Sequence, residues 1–458
     1  TKERHYRTIG KAAEVLQPGE RVVIEQGVYR ELVQPARGGS DPHDMISYEA
    51  AEGHEVVVKG TEVWEGEWVP SAGYKLGDGA ADVLAGRVWM GKLPAEAFIG
   101  TNPFSMVNMT SLPWVYEKNG SAWPRFPESA PTREYLMRRG LLFVDGKPLE
   151  QVVSVRELSL KPGTYWVEDS GLVLHFRLED DGDPRDHVLE FTAREQIFVP
   201  ASGGSSYIRL SGLAFIGAGN GFPAPQRGAV SANGGHHWIV ENCSIRWANS
   251  IGLDVGGISN HHRFDGPAGH HLIRRNTITD CGICGIAGIP SGGALESTLI
   301  EGNRLERNCW HDAEQAWESG AIKIHVAHRC LVKNNAILDT GYGPAIWIDY
   351  FNDDSRVSGN VIIGIRETMY GAVFIEATHK PNRIDGNVIR GVGRYSREQP
   401  ESENGGHGIY EHDSDALLID GNLVSHVEGY AVYLNYGNPE RIVAGRGPLG
   451  RNHRVTGN

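Results

Sequence analysis

A short motif that recurs through the second half of the chain constrains its fold more than any other feature. An aliphatic residue is followed three positions later by Asn, and another aliphatic residue comes soon after. The spacing between these Asn residues varies from 25 to 36 residues. A parallel β-helix has this property, because its strands keep their length while the loops between them vary. The copies end at Asn242, Asn276, Asn303, Asn335, Asn360, Asn387, Asn422 and Asn458, with Ser211 in an earlier copy.

The repeated Asn residues are predicted to be structural. Asn at the same turn of each coil can stack, with its amide bonding the turns above and below. The aliphatic residues beside it would then fill the interior of the coils. The chain stops at Asn458 within an expected coil, so we expect a capping segment beyond it.

The middle of the chain has a different pattern. Hairpin turns are predicted at Asp145-Gly146 and around Asp169-Ser170-Gly171, and successive hairpins indicate an antiparallel sheet. Residues 8–16 are a candidate amphipathic helix before the first short strands. The predicted organisation is an all-β fold, a parallel β-helix carrying an inserted antiparallel β-sandwich-like domain. Its parts are an N-terminal cap with the first coils at 1–75, the insertion at 76–200, and the β-helix with the active site at 201–458.

Composition excludes several partners. The net charge is −13 and there is no long basic stretch, which argues against nucleic acid and polyanionic glycans as ligands. The chain contains no apolar run of 18 residues, so we expect no membrane span. Its 40% hydrophobic and 22% charged residues are typical of globular proteins.

Cysteine and histidine usage does not predict a metal or redox site. Cys281-x-x-Cys284 has no second pair, and it is interpreted as two small buried residues. The His pairs at 236–237, 261–262 and 270–271 lack a known zinc spacing and are interpreted as loop residues. No metal and no cofactor are expected. Five cysteines, an odd number, favour a reducing and therefore cytoplasmic location, although a leader could have preceded Thr1.

Two predicted strands in the repeat region end in carboxylates. Ile346–Asp349 and Val373–Glu376 alternate with a period of two, so that Asp349 and Glu376 point away from the interior. The earlier run Ile322–His325 has the same pattern. Stacked as parallel strands, the three runs predict two columns on an outer surface, Lys323–Trp347–Phe374 and His325–Asp349–Glu376.

The spacing of the two acids points to glycosidic bond cleavage. Asp349 and Glu376 are one coil apart, so their Cβ atoms should lie about 5 Å apart. Repulsion at this distance favours one protonated and one ionised carboxyl group, as a retaining glycosidase requires. Trp347 and Phe374 could form a wall for the sugar. Other candidates are Lys323 or His325 for holding hydroxyls or orienting a carboxylate, and Glu318 as a third acid.

Other interpretations stay open at this point. The acids could be ordinary surface charges neutralised by Lys323 or His325. Parallel β-helices also host polysaccharide lyases and epimerases, which act on uronates and need cations that this acidic chain mostly lacks near Asp349. A third alternative is a non-catalytic glycan-binding β-helix. Outward groups on flanking coils are interpreted as surface residues: Asp254, Tyr410, His412, Tyr433 and Asn435.

Several stretches resemble the β-xylosidases of glycoside hydrolase family 120. The resemblance implies a right-handed parallel β-helix with a β-sandwich insertion, and it runs through most of the chain. The stretches that carry it are Glu25–Glu31, Tyr48–Gly60, Asn102–Phe104, Ala345–Tyr350, Asp354–Asn360 and Val373–His379.

The resemblance also implies roles for individual residues. Asp349 matches the family's nucleophile and Glu376 its acid/base. Glu318 matches a third active-site carboxylate that helps to bind the sugar, Trp114 an aromatic residue at the substrate, and His379 a His that follows the acid/base. The predicted activity is that of a retaining, exo-acting glycoside hydrolase that releases a monosaccharide, β-D-xylose, from short oligosaccharides. A homo-oligomer formed through the inserted domain is a further hypothesis.

Overall fold

The chain folds into a parallel β-helix with an inserted pair of mainly antiparallel sheets. The computed structural model describes residues 5–71, 87–108, 137–221, 227–256, 268–290, 292–312, 319–395, 405–436 and 450–458. In these parts of the chain, nearly all regular structure is β-strand.

Three long parallel sheets form the faces of the β-helix, and each coil contributes one strand to a sheet. Sheet A has eleven strands: β1 Arg21–Ile24, β3 Ile46–Ala50, β14 Ile208–Ser211, β17 Ile239–Glu241, β21 Leu272–Arg274, β25 Leu299–Glu301, β29 Leu331–Lys333, β32 Arg356–Ser358, β35 Asn382–Asp385, β38 Leu417–Asp420 and β41 Arg454–Thr456. Sheet B has ten: β2 Gly27–Arg30, β4 Val56–Lys59, β15 Leu213–Ala218, β18 Ser244–Ala248, β22 Thr277–Thr279, β26 Arg304–Glu306, β30 Ala336–Tyr342, β33 Val361–Thr368, β36 Val388–Arg394 and β39 Leu423–Val427.

Sheet C follows sheet B in each coil and contains the two predicted carboxylate strands. Its eight strands are β16 Gly228–Ser231, β19 Ile251–Asp254, β23 Cys284–Gly288, β27 Gly320–His325, β31 Ile346–Asp349, β34 Gly371–Glu376, β37 His407–His412 and β40 Val432–Asn435. A short sheet after it contains β20 Ala268–Gly269, β24 Leu295–Glu296 and β28 Ala327–His328.

Aliphatic residues in register fill the interior of the coils. On sheet A, Val332 pairs with Val357, Val357 with Ile384, and Ile384 with Ile419, and all four side chains are buried. Such columns recur on the inner face of each long sheet and merge into one core. The packing of one coil therefore depends on its neighbours, as expected for a repeat architecture.

The predicted Asn ladder is present along the turn that follows sheet A. Asn335 donates from Nδ2 to the carbonyl of Ile300, at 3.0 Å, and to Oδ1 of Asn360 on the next coil, also at 3.0 Å. Its own Oδ1 accepts from the backbone N–H of Asn303 at 2.9 Å. The pattern repeats up to Asn458 and satisfies buried backbone groups that the turn leaves unpaired.

The first predicted member, Asn242, is not part of the ladder. It is exposed, and its Oδ1 accepts from Arg275 Nε at 2.9 Å. Cys243 occupies the ladder position instead, where its backbone N–H donates to Asn276 Oδ1 at 2.9 Å. The prediction was wrong by one residue because Val240, not Ile239, lies in register with the inward aliphatic residues.

An N-terminal helix covers the first coil, as predicted. Helix α1, Ile9–Val15, is capped by Thr8, whose Oγ1 accepts from the Lys11 N–H at 3.1 Å. Glu31 accepts from the N–H groups of Ile9 and Gly10 at 2.9 and 2.8 Å, which fixes the helix to the coil. The apolar face of α1 packs into the main core and so covers the open end of the coils.

In the sequence, two smaller sheets come between the strands of the early coils and those of the rest of the β-helix. One contains β6 Val69–Pro70, β7 Val88–Lys92, β10 Glu150–Gln151, β11 Thr164–Val167 and β12 Val173–Arg177, and the other β5 Thr61–Val63, β8 Leu142–Val144, β9 Lys147–Pro148 and β13 Leu189–Thr192. Helix α2, Val155–Leu160, and 3-10 turns at Ala95–Ala97, Pro103–Ser105 and Pro184–Asp186 lie among them.

The two sheets share a core of their own, which makes the insertion sandwich-like. Leu142 and Phe191 of one sheet join Tyr165 and Phe176 of the other in a single buried cluster. The first of these strands, β5, lies within the range 1–75 that was predicted for the N-terminal cap and the first coils. Phe198, within the range 76–200 predicted for the insertion, forms β-bridges with the β-helix. The insertion contacts the corner between sheets B and C, where Asn249 Nδ2 donates to Asn108 Oδ1 at 2.7 Å.

All five cysteines are free and buried, as predicted for Cys281 and Cys284. Burial raises the pKa of the Cys281 thiol to about 12, so it is a neutral packing residue. Within the described ranges, no helix is long and apolar enough to cross a membrane.

Candidate active site

Three successive strands of sheet C bring the predicted site residues together. Lys323 and His325 lie on β27, Trp347 and Asp349 on β31, and Phe374 and Glu376 on β34. Lys323 pairs with Trp347 and His325 with Asp349, and Trp347 pairs in turn with Phe374. The first predicted column is therefore present in full, and the second is present from His325 to Asp349, because parallel strands in register place like positions one coil apart.

The site is more enclosed than the sequence indicated. Lys323 is 2% exposed, His325 4% and Asp349 7%, although these side chains were predicted on an outer surface. Glu376 is half-buried. The outward face of sheet C is therefore covered here, and the charges of the site interact in surroundings that are poor in water.

Asp349 is held by a lysine, a histidine and one backbone donor. Its Oδ2 lies 3.2 Å from Lys323 Nζ and 3.2 Å from His325 Nδ1. Its Oδ1 accepts from the Tyr350 N–H at 2.9 Å. A buried carboxylate with this many partners is fixed in position.

These partners keep Asp349 ionised. Burial on its own raises the pKa of Asp349, but the charges of Lys323 and His325 and a hydrogen bond with Glu376 outweigh it, so that the pKa lies below its usual value. Asp349 is therefore the group of this pair that stays ionised.

Trp347 and Phe374 belong to an enclosed aromatic cluster. Lys323 Nζ lies 3.3 Å from the centroid of the Trp347 ring, and Phe374 stacks on this indole at 4.7 Å. Tyr370 covers Phe374 at 4.5 Å, and Tyr410 packs edge-on against it at 4.9 Å. Phe374 has no exposed surface, so it supports Trp347 rather than presenting a face to a ligand.

Trp347 also offers an unused donor. Its ring is 2% exposed, and its Nε1–H has no hydrogen-bond partner among the described residues. A buried N–H without a partner costs about 1–3 kcal/mol, and a ligand hydroxyl would remove that cost.

Three of the predicted site residues remain: His379, Glu318 and Trp114. His379 is half-buried three residues beyond Glu376, with its Nδ1 3.4 Å from Asp415 Oδ2. Glu318 and Trp114 lie outside the described residues. Among the described residues, no group of three His, Cys, Asp or Glu side chains is placed to hold a metal ion.

The described His pairs stack instead of forming a metal site. His237 lies 4.5 Å from the His270 ring and nearly parallel to it, and its Nδ1 is 2.6 Å from His236 Nδ1. His271 is buried, and burial lowers its pKa to about 3. The second predicted pair, His261 and His262, lies outside the described residues.

Sequence reasoning missed some residues around the site. Tyr370 lies in the turn between β33 and β34, where no strand pattern marks it. His412, interpreted as a surface group, is in register with Glu376, and its Nε2 lies 3.3 Å from Asp413 Oδ2. Tyr350 follows Asp349 and lies edge-on against His325 at 5.6 Å. The period-2 pattern could have indicated His412, since it continues the column by one coil.

Comparison with known proteins agrees with the fold. Residues 228–398 match the family model described as "Right handed beta helix region". A solved structure of XylC with xylose superimposes with a TM-score of 0.70 at 22% identity, covering 91% of this chain and 66% of that protein. The predicted right-handed parallel β-helix is therefore confirmed. The chain spans slightly less than two thirds of the length of XylC.

Two other solved structures are more distant. One, described as a glycoside hydrolase, has a TM-score of 0.43 at 10% identity and covers 96% of this chain and 89% of its own. The other is a GH136 lacto-N-biosidase from Eubacterium ramulus, with a TM-score of 0.43 at 11% identity over 100% of this chain and 64% of its own. No curated protein sequence matches the chain.

Proposed function

We propose that this protein is a retaining, exo-acting glycoside hydrolase that releases β-D-xylose from short oligosaccharides. The observation that carries the proposal is the pair of interacting carboxyl groups on adjacent strands, Asp349 and Glu376, of which Asp349 has a lowered pKa. Glu376 is assigned as the protonated partner. Glycosidases need one carboxylate and one carboxylic acid at the scissile bond.

The geometry favours retention of the anomeric configuration. Carboxyl groups of retaining enzymes are about 5–5.5 Å apart, whereas inverting enzymes separate them by about 6.5–9.5 Å to admit a water molecule. Asp349 and Glu376 stand on adjacent parallel strands, which lie about 4.8 Å apart, and this spacing is nearer to that of retaining enzymes. Asp349 is therefore assigned as the nucleophile.

The reaction then has two steps. Asp349 attacks the anomeric carbon and the bond to the leaving oxygen breaks, while Glu376 gives its proton to that oxygen. Glu376, now a carboxylate, removes a proton from water, which attacks the anomeric carbon and releases Asp349. Lys323 and His325 stabilise the Asp349 carboxylate before the attack and again when it leaves.

The sugar would be held by groups around the pair. The Nε1–H of Trp347 is available to a hydroxyl group, and Glu318 and Trp114 keep the sugar-binding roles that the family resemblance implies. Xylose is proposed from that resemblance, and the xylose complex of a similarly folded protein, XylC, supports it.

A panel of 4-nitrophenyl glycosides, with proton NMR of the first product anomer, tests the proposal. We expect hydrolysis of the β-xyloside, β-xylose as the first anomer, and single xylose units released from xylotriose. α-Xylose as the first anomer would contradict retention. Unsaturated products from a uronate polymer would indicate a lyase, and sugar binding without turnover a glycan-binding protein.

The role of Glu376 is tested separately with substrates of different leaving-group acidity. The Glu376→Gln variant should lose about 10²–10⁴-fold in rate on 4-nitrophenyl β-xyloside. A dinitrophenyl xyloside needs little protonation, so its first step should be nearly unaffected. Equal losses on both substrates would contradict the assignment of Glu376 as the acid.

A further inference from the structure

A hollow lies across sheet B, where its strands lead into the turns towards sheet C. It has a volume of about 580 Å³ and contains none of the site residues described above. It extends across five consecutive strands, β18, β22, β26, β30 and β33. Four steps of about 4.8 Å give a length of about 19 Å, which suits an extended chain ligand. The side chains that line it include Trp247, Asp280, Arg307, Trp310, Asp339 and Arg366.

The hollow follows a line of residues with left-handed backbone conformation. Strand register places one such residue at the same point of eight successive coils, where the chain bends from sheet B towards sheet C. In coil order these residues are Gly217, Trp247, Asp280, Arg307, Asp339, Gly364, Gly391 and His426, with φ between 49° and 81°.

The bend does not require large side chains at these positions. Gly217, Gly364 and Gly391 make the same bend without a Cβ. A non-glycine residue in this conformation costs of order 1–3 kcal/mol, and bulky residues such as Trp247 and Arg307 adopt it rarely. Trp247 and Arg307 thus border the hollow in a conformation that glycine adopts at other positions of the line, including Gly364 in the hollow itself.

Both tryptophans are partly exposed and fixed in place. Trp310 donates from Nε1 to the Asp280 carbonyl at 3.0 Å, and its ring packs on His311 at 3.9 Å. Trp247 packs edge-on against Phe143 of the insertion at 6.4 Å. Rigid, partly exposed indoles provide flat apolar surfaces with little loss of entropy on binding.

The polar groups of the hollow balance in charge and are also fixed. Arg307 contacts both carboxylate oxygens of Asp280, at 2.7 and 2.8 Å. The Arg366 guanidinium lies 5.5 Å above the Tyr342 ring. Together with Asp339 this gives two cations and two anions, so the hollow has no strong preference for a charged ligand.

We propose that this hollow binds a neutral oligosaccharide at a second site, separate from the place of cleavage. Flat apolar faces beside planar donors and acceptors suit pyranose rings, which have apolar faces and hydroxyl edges. The site itself is argued from its own geometry, whereas the choice of xylan as first probe rests on the proposed function.

Native affinity electrophoresis in gels with soluble arabinoxylan tests the site, with β-glucan and galactomannan as further arms. We expect at least one of these neutral polysaccharides to retard the protein. Trp310→Ala should weaken the retardation about tenfold in apparent dissociation constant. Trp247→Gly should do the same, and it also relieves the backbone cost at this position, so the variant is expected to fold.

His426→Gly is the matched control. This variant also replaces a large residue of the left-handed line by glycine, but at an exposed position beyond the hollow. The polysaccharide should retard it as much as it retards the wild type. The proposal is overturned if no polysaccharide retards the wild type, if the tryptophan variants bind normally, or if His426→Gly binds as weakly as they do. Binding needs no hydrolysis, so this site and the proposed function can fail independently.

Discussion

Two buried aspartates at strand ends of sheet C show how surroundings decide the state of a carboxyl group. Asp254 ends β19 and Asp349 ends β31, and both have less than a tenth of their surface exposed. Asp254 accepts hydrogen bonds from Ser231 Oγ at 3.0 Å and from the Gly256 N–H at 2.8 Å. Burial outweighs these bonds and raises the pKa of Asp254 to about 7.

Asp349 differs because charges oppose its burial. Lys323 and His325 both lie 3.2 Å from its Oδ2, and its pKa is lowered. Asp254 was interpreted from sequence as a surface group, yet it has no exposed surface. The same residue type at the end of a strand thus has a raised pKa in one coil and a lowered pKa three coils later. The charged neighbours account for the difference.

The largest expected effect concerns activity. Asp349→Asn should lower kcat on 4-nitrophenyl β-xyloside by at least about 10⁴-fold, because the nucleophile is lost. The matched Asp254→Asn variant should stay within about twofold of the wild type. A large loss in Asp254→Asn, or full activity in Asp349→Asn, would remove the contrast between the two residues.

The next largest effect concerns the way in which the unfolding free energy depends on pH. The raised pKa of Asp254 means that the folded protein binds this proton more tightly than the unfolded chain does, so its contribution to stability falls as pH rises from about 4 to about 7. Asp254→Asn carries no such charge. Relative to the wild type, it should therefore gain of order 3 kcal/mol in unfolding free energy between pH 4 and pH 8. Urea unfolding at both values measures this, and a pH-independent difference would contradict it.

Removing a cation should make Asp349 behave more like Asp254. Lys323→Met raises the pKa of Asp349, so the acid limb of the pH–rate profile should move to higher pH and kcat/KM should fall about 10²-fold at pH 5. The loss should be smaller at pH 8, where Asp349 ionises again. Lys333→Met, which breaks an ion pair with Glu301 on sheet A, is the control and should leave the profile unchanged.

The smallest expected effect separates the hydrogen bond of Asp254 from its burial. Ser231→Ala removes a donor to the carboxylate, so the pKa of Asp254 should rise further. Stability at pH 8 should fall by about 1 kcal/mol, with less change at pH 4, where the group is protonated in both variants. An equal loss at both values would point to lost packing instead.

Much of the fold was predictable from local patterns. The Asn repeat fixed the stacking of coils, and the period of two placed Lys323, Trp347 and Asp349 on one face with the register that β27 and β31 show. Asn242 was wrongly assigned to the ladder because the motif was matched without the register of the strands. In the structure, Val240 pairs with the inward residue Ile273 of the next coil, and Ile239 does not. Burial could not be predicted, because it depends on segments far away in sequence, such as Tyr410 against Phe374.

By itself, the sequence determined that strands repeat, which residues face outward, and that two acids lie one coil apart, since these follow from periodicity along the chain. Only the tertiary structure decided that Lys323 and His325 both reach the same oxygen of Asp349, and that burial outweighs the charge of Arg227 at Asp254. It also decided that residues from five coils line one hollow. The physical reason is that electrostatic effects depend on distance and solvent exclusion, which are set when separate coils pack together.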